Sequence, residues 1–189
     1  MKTLHWMLLP AVAAMLTGCM PKAGLHFTPY DKAGAPTGVM LNVDFEECYS
    51  EIRGSTLRVV CRHRSLRTKD PITGEVLAQP FTEEVLGGLE IERAAKETWE
   101  GIRPLRDARF LYIDSRGGGW TCRSEGGHVQ FGGVVMGKLG IQFGLRCDRV
   151  GPPAPDPGWA YRDVSGLLTP EVNPQQVAIL FPKVFHDGG

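Results

Sequence analysis

The sequence has 189 residues, with 21 basic and 21 acidic side chains and 42% hydrophobic residues, enough for one domain with a full core. This charge balance excludes a bulk nucleic-acid binder, which needs a basic face. With 24 glycines and 14 prolines, the chain is expected to turn often and to favour short strands.

Residues 1–18 have the three parts of a secretory signal. Lys2 gives the positive start, Trp6–Leu16 is an uncharged apolar run broken by Pro10, and Gly18 is a small residue at the cleavage position. The run is too short to span a bilayer, which takes about 20 apolar residues. It ends in Leu16-Thr17-Gly18-Cys19 rather than in Ala-x-Ala. That ending resembles the lipobox of bacterial lipoproteins. The resemblance implies cleavage before Cys19, diacylation of its thiol and acylation of the new amino group, so that acyl chains make the membrane the first partner. Two or three chains anchor stably, whereas one binds only marginally at ~0.8 kcal/mol per buried CH₂. In such lipoproteins an Asp after the acylated cysteine favours the inner membrane; here Met20 follows, which implies the outer membrane, facing the periplasm. The resemblance covers residues 1–19 alone. Residues 19–38 are read as the lipidated N-terminus and a flexible tether, with docking of His26, Phe27 and Tyr30 onto the domain as the alternative. Residues 39–189 are read as a single globular envelope domain.

Four cysteines remain: Cys48, Cys61, Cys122 and Cys147. An even number in an exported chain predicts disulfides. Of the three possible pairings, Cys48–Cys61 and Cys122–Cys147 are preferred because each pair falls within a plausible hairpin, and each short loop contributes about 3 kcal/mol in the chain-entropy model. No C-x₂-C or H-x₃-H spacing suggests zinc, and no metal or cofactor is expected.

In chain order, Val39, Leu41, Val43 and Phe45 alternate as one buried face of a strand. Leu57–Arg64 is the next strand. With Cys48 opposite Cys61, antiparallel register places Glu47 opposite Arg62. The same stretch carries the basic cluster Arg58, Arg62, Arg64 and Arg67, with Lys69 and His63 nearby. Arg58, Arg62 and Arg64 share one strand face, a candidate partner-binding surface for an acidic protein or for phosphate-bearing headgroups. The competing reading is a solvated face that discourages edge pairing.

Asp70–Gly74 is a turn. Thr82-Glu83-Glu84 has the form of a helix start, with Thr as cap and two carboxylates at the positive end of the helix dipole. Val85, Leu89, Ala95, Trp99 and Ile102 continue a ragged stripe, so one main helix is predicted near 82–100. Arg109–Asp114, Trp120–Ser124, His128–Met136 and Leu139–Cys147, separated by glycine-rich turns, read as an antiparallel meander, with a bulge at Gly132-Gly133. Gly151–Gly158 is a stiff connector. Gln176–Phe181 reads as a central strand ended by Pro182. The predicted fold is α+β, an antiparallel sheet of six to eight strands with that helix; a β-sandwich is the alternative.

The glycine-rich turns lack the helix and Gly-Lys-Ser/Thr of a phosphate loop, and no serine has a Gly-x-Ser-x-Gly context. His63 and His128 are isolated, and Asp114 could meet His128 only if the meander brings them together. No catalytic residue is assigned. The expected function is a non-enzymatic binding or assembly subunit of the cell envelope with an envelope protein partner. A small-molecule-binding or sensing lipoprotein is the alternative, and an envelope hydrolase is the third reading.

Overall fold

The computed structural model describes residues 23–29, 41–69, 74–93, 99–131, 139–151 and 161–185. Cys19, the leader, Gly132-Gly133 and the stretch 152–160 lie outside the described residues. Ten strands and one helix follow in order: β1 (Ala23–Pro29), β2 (Leu41–Asp44), β3 (Glu47–Arg53), β4 (Thr56–Lys69), β5 (Val76–Glu92), β6 (Gly101–Asp114), β7 (Gly119–Phe131), β8 (Leu139–Val150), β9 (Tyr161–Leu168), β10 (Glu171–Val172) and α1 (Pro174–Phe185).

All ten strands join one sheet in the order β10-β3-β4-β5-β6-β7-β8-β9-β1-β2. From β3 to β9 each strand is antiparallel to the next, a plain meander, and β9 then pairs with β1. In the chain, β2 and β3 are separated only by Phe45 and Glu46, although they stand near opposite ends of the sheet order. The margins of the sheet are therefore held together covalently, and the sheet curls into a half-barrel.

Alternation fixes which face is inside. β8 turns Leu139, Ile141, Phe143, Leu145 and Cys147 inward, while Gln142, Arg146 and Asp148 face water, the period of two expected of a strand with one buried side. β1 adds Leu25 and Phe27, β4 adds Leu57, Val59 and Cys61, and β6 adds Ala108, Phe110 and Tyr112 to the same cluster. Phe27 of β1 meets Phe110 of β6 edge-on at 5.8 Å, and Phe110 stacks with Phe143 of β8 at 5.8 Å. Strands distant in the sheet order thus touch through the middle, which is a packed core. Among the described residues, these side chains fill the concave side of the half-barrel. A charged exterior around an apolar interior is also the reverse of a lipid-spanning barrel. Among the described residues, no helix is long and apolar enough to cross a membrane.

Space inside is made by glycine. A Cβ on Gly87 would stand 2.6 Å from the Phe110 ring, and one on the outward-facing Gly88 would stand 2.5 Å from Phe185. The second contact belongs to α1, which lies on the outer face of β3–β6. Val177, Leu180, Phe181 and Val184 of α1 cover Val60 and Leu86 there. Asn173 starts the helix by accepting the Gln176 N–H on its side-chain oxygen at 3.2 Å, with Pro174 in the first turn, where its missing N–H costs nothing.

Four expectations need correction. The sheet has ten strands, not six to eight, and the main helix expected near 82–100 is not found among the described residues: Val76–Glu92 is strand β5, and β6 begins at Gly101. Val85 and Leu89 suit a helical stripe, but they also lie on one face of a strand whose intervening inward position is Gly87, so the gap in the alternation hides the period. The β-sandwich alternative is closer, being nearly all β, yet a single continuous sheet supplies every wall here. The expected central strand at 176–181 is helical, because Val177, Leu180, Phe181 and Val184 repeat at helical spacing, and Pro182 lies inside α1. Finally, residues 23–29 are not tether: β1 pairs with both β2 and β9, and Phe27 is fully buried.

Both expected disulfides are present, Cys48–Cys61 between β3 and β4 and Cys122–Cys147 between β7 and β8. Each joins directly opposed, inward-facing positions. Two buried cystines are compatible with a location outside the cytoplasm.

Candidate functional site

The outward face of β4 carries the arginines singled out in the sequence. Arg62 stands opposite Glu47 as the register requires, and its Nη2 donates to both carboxylate oxygens, at 2.7 and 2.5 Å. Hydrogen bonding to Glu47, against a smaller desolvation cost, raises the Arg62 pKa above its ordinary value. Arg58 Nε donates to Glu90 at 2.9 Å, its Nη1 lies 3.8 Å from Glu51, and its guanidinium sits over the Phe181 ring at 5.0 Å. Arg64 Nε donates to Glu84 at 3.0 Å. These three arginines therefore form a charge-balanced ladder rather than a free cationic patch. Each rung holds its neighbours in register and contributes at most about 1 kcal/mol where exposed.

Arg67 is not on that face. Odd-numbered positions of β4 point inward, so Arg67 joins Ser65, Glu83, Tyr112 and Asp114 at the end of the barrel formed by the β6–β7 turn. Glu83 is 5% exposed. Its carboxylate accepts the Ser65 hydroxyl at 2.7 Å and the Tyr112 hydroxyl at 3.2 Å, and it pairs with Arg67 Nε at 2.6 Å. Burial, then the neighbouring Glu83 charge, raises the Tyr112 phenol well above its ordinary value and keeps it a donor.

Asp114, directly opposite Glu83, organises the turn to β7. Its Oδ1 accepts the N–H groups of Arg116 and Gly118 at 2.8 and 3.2 Å, and its Oδ2 accepts from Arg116 Nη2 at 2.7 Å. Burial alone would push the carboxyl up, but the Arg116 and Gly118 hydrogen bonds outweigh it and hold its pKa low. The Arg116 guanidinium lies 3.6 Å over the Phe81 ring. Nearby, Trp120 is 8% exposed, and its Nε1 is buried without a hydrogen-bond partner among the described residues.

This arrangement neutralises each buried carboxylate with an arginine. A serine nucleophile needs a base that is itself oriented by a third group; Ser65 instead donates directly to Glu83. His63 Nδ1 faces Glu46 at 3.4 Å. Asp114 and His128 are not brought together: Asp114 stands opposite Glu83, and His128 stands opposite Pro104 near the other end of β6. Among the described residues, no group of three His, Cys, Asp or Glu could hold a metal ion.

Ser65, Glu83, Tyr112, Asp114 and Arg116 were not identified from the sequence as one cluster. The signal was parity: extending the inward set Leu57, Val59 and Cys61 along β4 reaches Ser65 and Arg67. No family model, curated protein or solved structure matches this chain.

Proposed function

We propose that this chain is a lipid-anchored protein of the cell envelope, held through acyl groups on Cys19 at the outer membrane and facing the periplasm. Its barrel serves as a non-enzymatic docking module for an envelope protein. The observation that carries this reading is a packed interior stapled by two cystines, with Phe27, Phe110 and Phe143 meeting in the middle. Such a barrel offers its ends and outer faces for contact, which favours protein docking over enclosure of a small molecule. The arginine ladder of Arg58, Arg62 and Arg64 is a surface a partner can read by exchanging ion pairs, because its net charge is already balanced.

In-cell crosslinking of the full-length chain, followed by affinity capture and mass spectrometry, tests the docking role. One envelope protein recovered in stoichiometric amount is the expected result. Membrane-bound, acylated protein that captures no partner would overturn the docking role and move the weight to a small ligand. Charge reversal at Arg58, Arg62 and Arg64 with unchanged capture would remove the ladder from the interface.

A further inference from the structure

Exposed apolar side chains stand at both ends of the half-barrel, and the short link from Cys19 to β1 decides which end meets the membrane. β1 starts at Ala23, so only Met20, Pro21 and Lys22 separate it from Cys19. Covalent geometry limits four residue steps to about 14 Å. An acylated Cys19 therefore keeps the start of β1 within reach of the headgroup layer, instead of on a long leash.

The register shows what lies beside that start. Gly24 pairs with Leu167, Leu167 with Gly140, Gly140 with Gln130, and Gln130 with Ile102. These residues form one row across β1, β9, β8, β7 and β6. Leu167 and Ile102 in that row are 42% and 62% exposed, and Ile52, beside the β3–β4 turn at the same end, is 59% exposed. Trp99 packs on Phe131 at 5.5 Å at this end, and the Arg93 guanidinium lies 5.0 Å over the Trp99 ring. The exposed branched aliphatic side chains Ile52, Ile102 and Leu167 suit the boundary between headgroups and hydrocarbon, while Trp99 and Phe131 are partly buried against the interior cluster. Glu92 and Glu100 share this end and are exposed, which suits contact with the interface and opposes deep insertion.

We propose that this end of the barrel is a membrane-seating surface whose occupant is the phospholipid layer carrying the Cys19 acyl chains. The inference rests on the anchoring reading above. It goes further in assigning the Glu83–Asp114 end, with exposed Leu66, Val76, Ile113 and Val150, to the side facing away from the lipid, where a partner would meet it.

Strand β6 carries a probe position at each end, Ile102 and Ile113, both exposed. The full-length acylated protein is made as Ile102→Cys and as Ile113→Cys, labelled with an environment-sensitive fluorophore and placed on phospholipid vesicles containing nitroxide-labelled lipid. Cys48, Cys61, Cys122 and Cys147 are engaged in disulfides, so the introduced thiol takes the label. The label at 102 is expected to lose about half its emission or more, as an interfacial group does, while the label at 113 is unchanged. Ile52→Cys repeats the measurement should either variant fold poorly. No quenching at 102 and 52 on vesicle-bound protein, or stronger quenching at 113, overturns the seating. The mass of the mature N-terminus and flotation with vesicles are read first: an unacylated chain that does not float overturns the anchoring reading, and the seating falls with it.

Discussion

Glu83 shows how a single buried charge is held in this molecule. It accepts two hydroxyl donors and is ion-paired with Arg67 at one end of the half-barrel, and a buried carboxylate stripped of such partners is strongly destabilising. Tyr112→Phe removes one donor and leaves the Ser65 hydroxyl and the Arg67 ion pair, so a loss of about 1 kcal/mol is expected in urea unfolding at neutral pH. The sign of the pH effect follows from the raised phenol pKa. Its contribution is complete below the unfolded value near about 10 and is lost as pH rises toward the folded value. Wild-type stability should therefore fall in strongly alkaline solution, and Tyr112→Phe should flatten that fall; an unaltered alkaline slope would separate the phenol from Glu83. Asp114 behaves oppositely. Its pKa is lowered, so its contribution is present above about pH 4 and is lost as pH drops through the folded value. Asp114→Asn should shrink the acid loss. Glycine matters at this scale too. Gly87→Ala meets the central Phe110 ring and should cost about 1–3 kcal/mol, more than Gly88→Ala, which meets Phe185 at the end of α1.

At the scale of elements, α1 and β5 exchange the roles that their local sequence suggests. Thr82-Glu83-Glu84 carries the chemistry of a helix start, yet Glu83 faces inward to Tyr112 and Glu84 faces outward to Arg64. Long-range pairing with β4 and β6 overrides the local preference. The C-terminal run reads as a strand when its apolar residues are counted, and as a helix when their spacing is. Val177, Leu180 and Phe181 are buried while Ile179 is 56% exposed, a one-sided stripe capped by Asn173. Leu180→Ala should therefore cost about 2–5 kcal/mol, and Ile179→Ala should stay within about 0.5 kcal/mol, both measured by chemical denaturation. Equal losses at the two positions would contradict the helix. β1 was hidden for a different reason: its alternation consists of Leu25 and Phe27 alone, inside a stretch with the composition of a linker. The cystine pairing and the Glu47–Arg62 register were legible because a short antiparallel hairpin leaves few other solutions. The Ser65–Glu83–Tyr112 cluster was not, since it joins three strands whose alignment depends on the whole sheet.

For the molecule as a whole, the two cystines staple opposite stretches of one curled sheet, and this arrangement sets how the protein should respond to reduction. The bridges span 13 and 25 residues. Closing such loops in the unfolded chain restricts it by about 3 and 3.5 kcal/mol in the entropy model. The loops do not enclose one another, so the two contributions should be nearly additive. Both lie against the packed interior, with Cys61 and Cys122 each 2% exposed. A reductant in native buffer should therefore act slowly, through opening of the barrel, whereas equilibrium unfolding in urea with reductant should show the full loss. The pairwise alanine variants, Cys48→Ala with Cys61→Ala and Cys122→Ala with Cys147→Ala, separate the two bridges. Each pair should lower the urea midpoint, the longer loop by slightly more, with a further penalty for the cavity left inside the wall. Removing both should make stability insensitive to reductant. If the wild-type midpoint in urea is the same with and without reductant, neither bridge constrains the unfolded chain, and the case for an exported, disulfide-stapled barrel loses its chemical basis.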